Sequence, residues 1–344
     1  MKSTAFGLDI GTTSIKVVWL NRDKDTISYN ASLTVPTPVP GMQSESPFDQ
    51  QEMAQVINKL VIDAKITTNN VNIALPENHA FTKVIEMPVI ADKELGNAIF
   101  WEAEQYIPVP LDTVTLSWSK LRTVQSNLPE EKMQVLLVAA PKDLIKRYQD
   151  ILDLAGLTVV AIETDILAVI RSLINVKNTP TSLIVHIGAM STTLGIVQNG
   201  YLVFNYSVPL GGVALTRAIA SDFGLQPEQA EEYKRVYGLS DKNFGGKVGK
   251  AIEPILTALL GEIKKAVTFY VEKYKNELPI SQLLLTGGGA SLPGLSIYFA
   301  QNLGFESVLA NPWKMLNVQG VPHDIEMKGP EYSTSVGLAL KEYE

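Results

Sequence analysis

The sequence predicts an α/β protein with a duplicated core: two domains facing each other across a cleft, with a smaller α+β unit inserted in the first. Three observations carry that prediction. An apolar strand, a glycine turn with hydroxyls and a second apolar strand occur at residues 5–20 and again at 182–197. Between them, from Met87-Pro88 to about Ile162, the pattern breaks into a unit of its own. Further on, the apolar strand Leu283-Leu-Leu-Thr286 runs straight into Gly287, Gly288 and Gly289.

Composition bounds the function. The chain has 344 residues, roughly two domains' worth, and 46% of them are hydrophobic, enough for sizeable cores. It has no cysteine, which excludes disulfides and thiolate metal sites and suits a reducing cytosol. A net charge of −7 disfavours nucleic acid and is repelled by an anionic bilayer. Asp9 interrupts the N-terminal apolar run, so no signal peptide is expected, and no uncharged stretch approaches the ~20 residues of a membrane span. Any membrane role then goes through a partner, without direct insertion.

Taken in order, Phe6, Leu8 and Ile10 alternate and mark a strand, and Ser14 to Leu20 is its partner. In the turn between them, Gly11 leaves room for N–H groups to close on phosphate oxygens beside the hydroxyls of Thr12, Thr13 and Ser14. Asp9, at the strand's end, is placed to hold the water shell of a Mg²⁺ ion, and Lys16 adds a compact positive charge. Alone, the motif is equally an ordinary Gly-Thr hairpin. A Pro-rich connector, Pro36 to Pro47, precedes a helix from Asp49 or Gln50 to Lys65, with Asp49 as N-cap. Strands Val71 to Leu75 and Phe81 to Ile85 complete a strand-rich first subdomain.

The inserted unit reads helix, strand, strand, helix, strand. Its first helix, Asp92 to Tyr106, carries the stripe Leu95, Ile99, Glu102, Tyr106 and is stopped by Pro108 and Pro110. Val114 to Trp118 alternates, and Met133 to Ala140 is apolar throughout, as a central strand is. A second helix runs from Pro141 to Gly156. Such a unit is a candidate interaction module.

Beyond it, Val159 to Ile162 leads into Glu163 and a helix from Thr164 to Ile174. The second hairpin then brings a turn with Gly188, Ser191 and Thr192 onto the same ligand from the opposite side of the cleft. Here His186 answers Asp9. An imidazole is a poor neighbour for Mg²⁺, and the other reading is a histidine satisfied by hydrogen bonds at a strand end. Gly211 and Gly212 close a loop before the helix Leu215 to Phe223. On the helix Ala230 to Gly238, Glu231 and Lys234 share a face, as a solvated ion pair or as a grip on a ribose and base. Phe244 to Gly249 reads as a loop and Ile252 to Lys275 as a long amphipathic helix. Gly287 to Gly289 let backbone approach a flat base. The small residues of Ser335 to Leu340 suit a helix that crosses another closely, and no amphipathic tail follows it. The expected division is a first core of 1–87 with 161–180 and 311–344, the inserted unit 88–160, a second core of 181–223 with 279–310, and a helical subdomain 224–278 on the nucleotide side.

The ordered set Asp9-Ile-Gly-Thr-Thr-Ser with Lys16, the turn from Gly188 to Thr193, Leu284-Leu-Thr-Gly-Gly-Gly-Ala and Val336-Gly-Leu-Ala resembles the actin-like ATPase superfamily, whose fold is a duplicated ribonuclease H-like unit. Within it the chain is similar, essentially from end to end, to the PilM family of type IV pilus assembly, related to the FtsA division proteins. Met87-Pro88, Glu94-Leu95, Glu104 to Pro110, Ala139 to Lys142, Ala230 to Lys234 and Gly337 to Leu340 carry that likeness. The resemblance implies ATP between the halves, phosphates between Gly11 to Ser14 and Gly188 to Thr193, and ribose and base held by Glu231, Lys234 and Gly287 to Gly289. It puts Glu163 where relatives place a water-orienting acid. It also implies a cytoplasmic protein that binds the cytoplasmic tail of a PilN-like bitopic membrane protein in a groove involving the inserted unit. Other pilus inner-membrane platform proteins and further copies of the chain are implied partners too. His186 departs from the family's usual aspartate, which bears on hydrolysis more than on binding. The alternatives are a sugar or acid kinase of the same superfamily, for which only Asp9 and Glu163 offer a base, and an FtsA-like filament former, weakened by the missing membrane-targeting tail.

Overall fold

Alternating apolar residues pair the start of the chain into a sheet. In the computed structural model, which describes residues 5–124, 131–174, 180–240, 245–274 and 278–341, β1 (Phe6–Ile10) pairs antiparallel with β2 (Ser14–Asp23), and β2 with β3 (Thr26–Pro36). Helix α1 (Pro47–Asp63) returns the chain so that β4 (Asn70–Leu75) lies parallel to β1. The chain then leaves for a separate sheet formed by β5 (Phe81–Pro88), β6 (Val114–Val124) and β7 (Lys132–Pro141), with α2 (Asp92–Tyr106) between the first two. It comes back through α3 (Lys142–Leu154) to β8 (Thr158–Thr164), parallel to β4, and into α4 (Asp165–Leu173).

The second half repeats the plan. β9 (Ser182–Ile187), β10 (Thr192–Gln198) and β11 (Tyr201–Val208) form an antiparallel meander. After α5 (Gly212–Phe223), α6 (Pro227–Tyr237) and α7 (Lys247–Lys273), β12 (Gln282–Thr286) lies parallel to β9, and α8 (Leu295–Leu303) leads to β13 (Glu306–Leu309). The orders β3-β2-β1-β4-β8 and β11-β10-β9-β12-β13 correspond position for position. Two short helices, α9 (Pro312–Met315) and α10 (His323–Met327), lead to α11 (Ser333–Ala339).

Apolar burial sets the layers. Met53, Ile57 and Leu60 of α1 join Tyr148, Ile151 and Leu152 of α3 on one face of the first sheet. Leu256, Leu259 and Ile263 of α7 and Leu295 and Phe299 of α8 cover the second sheet. Helix α4 lies between the sheets, with Ile166 and Val169 against Ile184 and Val197 and with Ala168 against Ala74 and Leu338. The expected close crossing occurs here: a Cβ on Gly337 would collide with the Ala168 carbonyl oxygen. Among the described residues, no helix is long and apolar enough to cross a membrane.

Several sequence expectations need correction. The Pro-rich connector is preceded by β3, a largely polar edge strand that the sequence reading passed over, as it did β11. Helix α1 starts at Pro47 after Ser46, so Asp49 is in the first turn and accepts a 2.5 Å hydrogen bond from the Ser44 hydroxyl, leaving the cap position to Ser46. Strand β5 pairs with β7 in the module's sheet and so leaves the first subdomain, whereas α3 and β8 belong to the first sheet and its cover. The module is therefore β5, α2, β6 and β7, with β7 central as expected. On α2 the buried stripe is Leu95, Ile99 and Ala103, and Glu102 and Tyr106 are half-buried. Helix α7 begins at Lys247, so Gly249 is helical, while Phe244 and Lys275 fall outside the described residues.

Candidate functional site

The parallel strands β1, β4 and β8 end along one edge, where the cleft between the halves begins. At the first turn the Gly11 N–H donates to the Ser14 carbonyl at 3.0 Å, and the Thr37 hydroxyl donates to the Gly11 carbonyl at 2.7 Å. That leaves Thr12 and Thr13 exposed at the tip. Asp9 and Lys16 face each other across the β1–β2 ladder. The Lys16 ammonium donates to Ser14 Oγ at 2.8 Å and stands 3.7 Å from Asp9 Oδ2. Burial pushes the Asp9 carboxyl up, and Lys16 offsets part of that shift.

The second turn has the same backbone. Its Gly188 N–H donates to the Ser191 carbonyl at 2.9 Å. Superposing the two patterns sets Ala189 and Met190 where the first turn has Thr12 and Thr13, and the ladder pair His186–Thr193 where it has Asp9–Lys16. Thr192 is fully buried and donates to the Leu210 carbonyl at 2.7 Å, so its hydroxyl ties the turn to the next loop and is withdrawn from the cleft. Of the hydroxyls expected here, Ser191 alone stays at the tip. Burial, with Lys16 nearby, lowers the His186 imidazole to about 4, so it is neutral at physiological pH, and its Nδ1 is buried without a partner. Gly211 and Gly212 pack directly on this turn: the Gly212 N–H donates to the Gly188 carbonyl at 2.9 Å, and a Cβ on Gly211 would come within 2.6 Å of the Ala189 oxygen.

Glu163 does not face the cleft. It is buried in a two-pronged ion pair with Arg171, at 2.5 and 2.8 Å, with Lys341 at 3.5 Å, and Arg171 also donates to the Gly337 carbonyl at 3.0 Å. Strand alternation turns it toward α4 and α11. The acids beside Asp9 are Asp165, at the start of α4, and Glu77, in the short turn between β4 and β5; the sequence reading singled out neither. Burial pushes the Asp165 carboxyl well up, and its neighbours Glu77 and Asp9 add to that. Glu77 is raised to about 7 by burial, against the pull of nearby hydroxyls and of Asn205, whose amide donates to Glu77 Oε1 at 2.5 Å. Asp165 Oδ1 and Glu77 Oε2 are buried and unpartnered. An acid on the first residue of a helix that directly follows a strand was the available signal for Asp165.

The remaining predicted residues line the second half. Lys234 is buried, and its ammonium donates to Glu231 Oε2 at 2.6 Å, Thr216 Oγ1 at 2.9 Å and the Gly212 carbonyl at 3.1 Å. This is a buried knot that fixes Gly212 against the turn, and no solvated pair. Burial lowers Lys234; Glu231, which burial would raise, is held below its usual range by Lys234 and Thr216. Gly287 donates its N–H to the Pro330 carbonyl at 2.9 Å, and a Cβ there would come within 2.5 Å of the Ile187 oxygen. A Cβ on Gly289 would collide with the Ile187 side chain, whereas Gly288 has nothing within 4 Å. Two of the three glycines thus serve packing, and Gly288 faces open space.

Among the described residues no three His, Asp or Glu side chains converge closely enough to hold a metal ion directly. The unpartnered carboxylate oxygens nonetheless fit a cation that keeps its own waters, as Mg²⁺ does.

Two sheets of one strand order, sharing a buried helix and clasping a cleft between matched turns, define an actin-like fold. MreB5 of Spiroplasma citri bound to ADP shares it, with a TM-score of 0.51 and 15% identity over 99% of this chain and 95% of that one. Residues 7–343 match the family described as type IV pilus assembly protein PilM, and the chain belongs to that family. A solved PilM-PilN type IV pilus biogenesis complex contains a chain 28% identical, with a TM-score of 0.82 and full coverage of both. The cell division protein FtsA of Streptococcus pneumoniae is 24% identical, covering 97% of this chain and 79% of its own.

Proposed function

We propose that this protein is a cytoplasmic, ATP-binding scaffold of type IV pilus assembly that captures the cytoplasmic tail of a PilN-like membrane protein and is recruited through it to the inner face of the cytoplasmic membrane. One observation carries the nucleotide reading: the exposed Thr12–Thr13 turn, backed by the Asp9–Lys16 pair, is matched in the second half by a neutral turn of the same backbone, whose His186 lies close enough to feel the Lys16 charge. Phosphates sit between Gly11 to Ser14 and Gly188 to Ser191, and Lys16 supplies charge to them. Asp9 and Asp165 hold the water shell of Mg²⁺, which neutralises phosphate charge when bound. Gly288 admits the base, and Glu231 and Lys234 shape the wall beside it. A neutral His186 opposite Asp9 leaves the metal organised from one side, which favours binding over turnover. The kinship with a PilM solved together with PilN supports the partner. So does the surface of the inserted module, where Phe100 and Trp101 of α2 stand exposed and can order a disordered tail.

Calorimetric titration with Mg-ATP, followed by a phosphate-release assay on the wild type and on His186→Asp, tests this reading. Binding with little turnover, and faster turnover in the variant, is expected. Absence of binding sinks the nucleotide reading.

A further inference from the structure

The inserted module is fastened to the second half at two places. Away from the cleft, Arg122 of β6 donates to Gln198 Oε1 at 2.8 Å where β10 ends, and Val84 and Leu136 pack in one cluster with Ile184 and Val197. Near the cleft, a polar contact between the module's base and β11 passes through Glu77. This residue lies in the turn by which the chain leaves β4 for β5. Its carboxylate accepts the amide of Asn205 on β11, the hydroxyls of Thr82 on β5 and Thr164 at the end of β8 lie beside it, and its backbone amide faces the Asp165 carboxylate.

We infer that Glu77 is the joint through which occupation of the cleft is passed to the inserted module. The inference rests on the nucleotide reading above and adds to it a positioning residue that touches neither nucleotide nor partner.

Two oxygens in this turn region are stranded. Asp165 Oδ1 and Glu77 Oε2 are buried with no hydrogen-bond partner, so the waters of a hydrated cation arriving beside Asp9 offer donors to oxygens that the protein leaves unsatisfied. Satisfying Asp165 shifts the turn whose amide faces it. That turn carries the carboxylate to which Asn205 is bonded, so the shift changes how the base of β5 sits on β11. The far attachment at Arg122 and Gln198 contains no cleft residue and serves as the fixed end. Cleft and module are thus coupled through one contiguous set of contacts.

Hydrogen–deuterium exchange on the full chain, with and without Mg-ATP, tests the joint. In the wild type, Mg-ATP is expected to slow exchange in both hairpins, 6–20 and 182–198, and to change exchange in 81–106. Asn205→Ala, at a half-buried strand position, is expected to keep the hairpin protection and lose the response of 81–106. Thr82→Val, which keeps shape and removes one hydroxyl, is expected to weaken that response, and Arg122→Ala is expected to preserve it. A response of 81–106 that survives Asn205→Ala, or that Arg122→Ala abolishes instead, overturns the joint while leaving the nucleotide reading intact. Hairpins unprotected in the wild type overturn both.

Discussion

The two turns of the cleft share a backbone and differ in chemistry. Both are closed by a glycine N–H donating to a serine carbonyl three residues on, and both sit at the end of an apolar strand. One presents two threonines over an acid–lysine pair; the other presents Ala189 and Met190 over His186 and Thr193. The difference teaches where duplication leaves freedom. The glycine and the ladder fix the turn, whereas the cleft-facing positions are open to change. Charging both sides would bury four ionised groups in one cleft at a large desolvation cost. Charging one side concentrates the field where phosphates and their cation are to be held.

The sharpest way to break this comparison is to replace the strand-end residue of each pair, Asp9 or His186, in turn. Asp9→Asn is expected to weaken Mg-ATP binding roughly a hundredfold, about 2.7 kcal/mol, and His186→Asn less than about threefold. Equal losses by calorimetry would mean that the halves are not specialised. Next in size is packing. Gly211→Ala drives a methyl group into the second turn and is expected to cost about 2–3 kcal/mol in denaturant melts. Gly288→Ala, in open space, should stay within about 0.5 kcal/mol in stability while lowering ATP affinity.

The halves should also fail at opposite ends of the pH scale. Glu77 rises from 4.5 to about 7 on folding, so its stability is full below 4.5 and is lost as pH climbs through 7. His186 falls from 6.5 to about 4, so its contribution is full above 6.5 and is lost as pH drops through 4. Each shift corresponds to at most about 3 kcal/mol. Thermal melts from pH 4 to 8 should show Glu77→Gln flattening the alkaline limb and His186→Gln the acid limb. The smallest effect separates the threonines: Thr192→Val should cost about 1 kcal/mol of stability through the lost bond to Leu210, and Thr13→Val about none.

Much of this architecture was legible because it is local. Apolar alternation gave both hairpins, and helical spacing with proline stops set α2 at its observed bounds. The small residues of α11 announced its crossing of α4. What escaped depends on distant partners. β3 and β11 are sheet edges that carry many half-buried polar residues, so their periodicity is blurred. The allegiance of β5 is decided by pairing with β7, some fifty residues on. Glu163 and Asp165 are two residues apart, and choosing between them requires knowing where β8 stops and that Arg171 is waiting on α4 for the first. The triple glycine drew notice for its ligand, but Gly287 and Gly289 are required by Ile187, which no local pattern reveals.

The burial of α11 orders events during synthesis. Strands β1, β2 and β4 leave the ribosome early, yet the helix that packs on them, with Gly7 pressed against its backbone and the Asn72 amide donating to the Leu338 carbonyl at 3.0 Å, is translated after the whole second half. At roughly 5–20 residues per second the first half waits tens of seconds with one face uncovered. The half that begins first is finished last, and in the meantime the nascent chain offers its apolar sheet to whatever chaperone is at hand.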